Sequence, residues 1–108
     1  MDPGQVTLNG FQKRVEERLN AALHELGLQV DSRRVGWEEM PFGSQQPEAV
    51  VHVKAQELDV RIREDSVSFT LFGKGNYMYE MPDYANADAL ADAFLRALTD
   101  RWRKQPRT

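Results

Sequence analysis

Cysteine is absent from this chain of 108 residues. Its absence excludes disulfides, thiolate metal ligands and cysteine nucleophiles together, and is compatible with a reducing compartment. Histidine is scarce, with only His24 and His52, which fall on different predicted elements. Neither belongs to an H-E-x-x-H or Cys/His arrangement, and no closely spaced carboxylate set has a calcium-loop pattern, so no metal and no cofactor are expected. No stretch approaches the roughly 20 apolar residues of a membrane span. The opening Met1-Asp2-Pro3-Gly4-Gln5 lacks the basic start and apolar run of a secretory signal. A cytoplasmic location with no membrane partner is therefore expected. Positive charge is not in excess either: the net charge of −3 provides no global attraction to nucleic acid or to an anionic lipid surface.

What is present suits one ordinary globular unit. An apolar fraction of 41% and a charged fraction of 29% are enough to build a core and keep it soluble, and the length suits a single domain. The expected organisation is a flexible N-terminal segment over 1–8, an α+β domain over 9–104 and a flexible tail over 105–108.

The first regular element is a helix from about Gly10 to Leu26. Asn9 is a candidate N-cap, and Phe11, Val15, Leu19, Ala22, Leu23 and Leu26 fall on one helical face. Gly27 can take the left-handed conformation that ends it. Leu28–Val35 is a weak strand candidate, because Asp31-Ser32-Arg33-Arg34 is poor strand interior. Gly36–Pro47 reads as a long loop, being broken by Pro41, Gly43, Ser44 and Pro47. Strong strand signals follow over Ala49–Ala55, Leu58–Arg63 and Val67–Phe72. In the second, Leu58, Val60 and Ile62 alternate with Asp59, Arg61 and Arg63. The connections are too short for parallel crossovers, so antiparallel hairpins are predicted. Gly73-Lys74-Gly75-Asn76 reads as a further turn before a last strand, Tyr77–Met81, stopped by Pro82. The final helix begins near Asn86 or Ala87, with Asn86 or Asp83 as cap, and carries Leu90, Phe94, Leu98 and Trp102 at fourfold spacing. Asp88 and Asp92 near its start and Arg101, Arg103 and Lys104 near its end suit the helix dipole. The predicted fold is α+β: helix, weak strand, antiparallel meander of 3–5 strands, helix. Both helices should lie on the face lined by Val51, Val53, Val60, Ile62, Phe69 and Leu71, leaving Asp59, Arg61, Arg63, Ser68 and Thr70 on the other.

The residues that could carry chemistry have structural explanations. Glu64-Asp65 suits a turn, Asp88 and Asp92 suit a helix start, and nothing in the spacing makes two carboxylates converge, so catalysis is not expected. Gly73-Lys74-Gly75-Asn76 is no phosphate loop, because it joins strands and matches neither glycine-rich fingerprint. The order helix, three antiparallel strands, helix is similar in topology to the double-stranded RNA-binding domain. That domain grips phosphates with lysines at the start of its second helix, where this chain has Asp83, Asn86, Asp88 and Asp92. The likeness therefore stops at topology, and nucleic acid is not the expected partner. The basic cluster Arg96, Arg101, Arg103, Lys104 and Arg107 is the place where nucleic acid would bind if it did.

One segment carries more than folding asks of it. Trp37, Met40 and Phe42, beside Glu38 and Glu39, stand where neither helical nor strand periodicity requires apolar bulk. With Tyr77, Tyr79 and Tyr84, and with Asp83 on an acidic surface running to Asp92, they form a candidate partner-binding set. The alternative is that Trp37 and Phe42 fold back as a lid on the core. The expected function is that of a small protein-binding module of the adaptor, inhibitor or immunity-protein type. A homodimer resembling a secretion chaperone and a nucleic-acid binder are the alternatives.

Overall fold

Asn9 begins the first helix as predicted. In the computed structural model, which describes residues 6–104 apart from the side chain of Asn76, the Gln12 backbone N–H donates to Asn9 Oδ1 at 2.8 Å. The Asn9 N–H donates in turn to Gln12 Oε1 at 3.0 Å. This reciprocal capping box starts helix α1, Gly10–Glu25. Val15, Leu19 and Leu23 face the core, and Gly27, at φ 74°, ends the element in the left-handed region. Gln12 itself is fully buried, and its Nε2 donates to the carbonyls of Pro47 at 2.9 Å and Ile62 at 3.2 Å. One amide thus ties the helix start to two strands.

Five strands follow: β1 (Ser32–Glu39), β2 (Gln45–Val53), β3 (Leu58–Ile62), β4 (Ser66–Leu71) and β5 (Lys74–Glu80). They pair antiparallel in chain order, β1-β2-β3-β4-β5, as an uninterrupted meander. The register stacks Val51 on Val60 and Phe69, Ala49 on Ile62 and Val67, and Val53 on Leu58. All are buried on the face that α1 and the last helix, α2 (Ala87–Arg103), cover together. Asn86 caps α2 by accepting from the Ala89 N–H at 2.8 Å, and Phe94 meets Phe69 edge to face at 5.5 Å. Arg14 and Arg18 of α1 reach across to α2. Arg14 Nε lies 2.8 Å and Arg18 NH1 2.9 Å from Asp88, and Arg18 also pairs with Asp92. No helix among the described residues covers the opposite sheet face, where Arg34, Val50, Arg61, Ser68 and Met78 form one cross-strand row.

Two expectations need correction. The weak strand over 28–35 forms from Ser32 onward, and the long loop over 36–47 is instead the rest of β1, a short turn and the start of β2, a hairpin in register from Ser32 opposite His52 to Glu39 opposite Gln45. Arg33 faces the helix side and pairs with Glu16 of α1, its NH2 2.8 Å from Oε1, which explains why a charged stretch makes a strand. Pro47 is tolerated because its carbonyl, and so its missing N–H, faces Gln12 rather than β1. The turn expected over 73–76 is Phe72-Gly73, with φ 56° and 70°, a two-residue hairpin between paired Leu71 and Lys74. Gly75, at φ 80°, lies in the irregular start of β5, where an added Cβ would sit 2.2 Å from the Tyr77 ring. Leu8, assigned to a flexible segment, is buried in the core. The rest of that assignment over 1–5, and the whole tail 105–108, lie outside the described residues.

Candidate functional site

The β1–β2 hairpin continues past its neighbours. β3 pairs with β2 only from Ala49 onward, so the outer half of the hairpin, from about Gly36 to Glu48, has no third strand beside it. At its tip the Met40 N–H donates to the Ser44 carbonyl at 2.8 Å, closing a turn of Pro41, Phe42 and Gly43. Proline sets the entry to this turn, and Gly43 supplies the left-handed residue at φ 77°. Phe42 also takes a left-handed conformation, φ 67° and ψ 25°, and its side chain is fully exposed. An aromatic residue is disfavoured twice there, by backbone sterics and by its contact with water. Trp37 stands opposite Pro47 and is 47% exposed. Met40 accepts a hydrogen bond at Sδ from Gln46 Nε2. None of the three belongs to the core or packs against it.

The base of this arm is held by charge. Glu38 points to the uncovered sheet face and accepts from Arg63 Nε at 2.8 Å, while Arg63 NH1 donates to Ser68 Oγ at 3.0 Å. Glu48 lies beside them, 8% exposed. Its Oε1 is 3.4 Å from Arg61 NH1, whereas its buried Oε2 receives no hydrogen bond and lies 3.8 Å from Arg63 Nε. Burial pushes the Glu48 carboxyl above the ordinary range, and the adjoining Glu38 adds to that shift against the pull of Arg61 and Arg63. Burial opposes ionisation of Glu38 too. The hydrogen bond from Arg63, the contact with Glu48 and the charges of Arg63 and Arg61 outweigh it and hold this carboxyl below the ordinary range. The two carboxyls are thus shifted in opposite directions, Glu48 up and Glu38 down.

The structure separates the predicted partner-binding residues into two groups. Trp37, Glu38, Glu39, Met40 and Phe42 share the hairpin arm. Tyr77 and Tyr79 lie on β5 at the other edge of the sheet, four strand spacings of about 4.8 Å away. Both tyrosines pack inward: Tyr77 lies 5.4 Å and Tyr79 6.4 Å from Phe69, and Tyr79 meets Phe94 at 6.0 Å. Tyr84 packs against the same core, and Asp83 is exposed in the short 3₁₀ turn Met81–Asp83. Of the acidic surface expected from Asp83 to Asp92, Asp88 and Asp92 are taken up by Arg14 and Arg18. Sequence reading passed over Glu48, Gln12 and Arg33. The alternation of Arg61 and Arg63 signalled an outward charged face, but only the register brings Glu48 onto it. Comparison with protein-family models, with curated proteins and with solved structures finds no match for this chain.

Proposed function

We propose that this chain is a cytoplasmic, non-catalytic protein-binding module that engages another protein through the tip of the β1–β2 hairpin. The observation that carries this reading is Phe42: a fully exposed aromatic ring on a left-handed backbone at the end of an arm. Local strain and exposure together work against folding, so the residue is best explained by what it does when covered. Trp37 provides a second, half-exposed aromatic on the same arm, and the Glu38–Arg63 pair ties the base of the arm to the residue that follows β3. The test is affinity capture from a lysate of the source cells with the parent chain, Phe42→Ala and Trp37→Ala, with circular dichroism as the check on folding. A protein retained by the parent and by Phe42→Tyr, but lost from both alanine variants, supports this assignment. Equal retention by all four refutes it.

A second reading is a homodimer formed across the uncovered sheet face. It draws on Met78, which is half exposed among the charged residues of that face. Sedimentation velocity decides it: a concentration-independent monomer removes the dimer.

A further inference from the structure

We propose that a cleft between the β4–β5 turn and the end of α2 binds a carboxylate carried on an apolar or aromatic body. This site is separate from the hairpin tip. β2 runs from the tip toward the turn that joins it to β3, and the Phe72 N–H donates to Gln56 of that turn at 3.0 Å, so the cleft lies at the other end of the strands.

The cleft has a volume of about 580 Å³, within the range of small-molecule sites. Its floor is apolar, formed by Leu71, Phe72 and Ala97. Phe72 occupies the first position of a two-residue turn at φ 56°, where glycine, asparagine or aspartate is favoured. Its ring stacks on Trp102 with centroids 6.0 Å apart. The turn thus holds an aromatic wall in a conformation its backbone disfavours.

The rim is cationic. Lys74, Arg101 and Lys104 border the cleft, opposed by Asp100. None of these three cations makes a salt bridge among the described residues, as is also true of Lys13, Arg34, Lys54, Arg96 and Arg103. The Arg101 guanidinium carbon lies over the Tyr77 ring, 3.8 Å from its centroid. A guanidinium held over a ring keeps N–H donors for a planar, two-oxygen acceptor, the geometry a carboxylate meets. The apolar floor and the acid at Asp100 disfavour a polyphosphate backbone, which needs a continuous basic track. The ligand chemistry is therefore one carboxylate with an apolar or aromatic group behind it, supplied either by a free acid or by the C-terminal residue of a peptide.

The test uses Trp102 as reporter in a Trp37→Phe background, which leaves one of the chain's two tryptophans. Its emission is titrated with 4-phenylbutyrate, with 4-phenylbutanamide, with inorganic phosphate, and with a pentapeptide ending in phenylalanine as free acid or amide. The expected result is a saturable change with the acid, about tenfold weaker binding of the amide, and a loss of about tenfold in Arg101→Gln with circular dichroism unchanged. Lys104→Gln, at an exposed position, gives a second reading of the rim should Arg101→Gln fail to fold. Tighter binding of the free acid identifies a small-molecule site, and tighter binding of the free-carboxylate peptide identifies a site for a chain end. Absence of saturable binding, equal binding of acid and amide, or phosphate binding as tightly as the acid overturns the assignment.

Discussion

Single side chains in this molecule are either over-committed to folding or not committed at all. Gln12 is the first kind: both Nε2 hydrogens and Oε1 of this buried side chain are used on Pro47, Ile62 and Asn9. Gln12→Leu keeps the bulk but leaves two carbonyls and one N–H short of partners, so urea unfolding should show a loss of about 2–4 kcal/mol. Phe42 is the second kind, because nothing in the fold covers its ring. Replacing it by glycine relieves the left-handed conformation, and the same measurement should show a gain of about 1 kcal/mol while partner capture disappears. A gain in stability joined to a loss of binding is the signature of a residue kept for recognition. Gly75→Ala sets a Cβ against the Tyr77 ring on a backbone at φ 80°, and thermal unfolding should show a loss of at least about 1 kcal/mol.

Among the elements, the hairpin differs most from its sequence-based expectation. The helices were legible because their signals are local: caps at Asn9 and Asn86, and apolar residues at fourfold spacing that need no knowledge of the partner. β1 was legible only as a weak strand, because Arg33 in it makes sense only once Glu16 on a distant helix is opposite it. The Phe72-Gly73 turn was hidden for a similar reason. Intrinsic preference argues against an aromatic at φ 56°, and the stacking on Trp102 decides otherwise. Of the candidate site, the surplus of apolar bulk at Trp37, Met40 and Phe42 could be read directly, while the Glu38–Arg63–Glu48 anchor depends on register. That anchor responds to pH. Glu48 binds its proton more tightly in the folded chain than in the unfolded one, so the stability it contributes is present below the ordinary carboxylate range and is lost as pH rises through its raised value. Glu38, shifted down, loses its contribution in the opposite direction, as pH falls below the ordinary range. Glu48→Gln keeps the shape without the proton. From pH 4.5 to 7 its stability, followed by urea unfolding, should therefore gain steadily on that of the parent.

At the scale of the whole molecule, the arm and the body are separable. The core residues of the hairpin begin at Ala49, and the outer arm adds none to the buried cluster. Replacing residues 39–45 with Asn-Gly joins Glu38 to Gln46, which are already opposite one another, through a two-residue turn. Calorimetry should show one cooperative transition shifted by a few degrees at most, and the shortened chain should capture no partner. The helix pair has a different consequence. Arg14 meets Asp88 and Arg18 meets Asp92, so α1 and α2 advance in the same direction, and the start of one helix lies far from the end of the other. Tension applied between the N-terminal end of α1 and the C-terminal end of α2 therefore drags the two helices past each other lengthwise. The contacts between them must yield together instead of opening one after another.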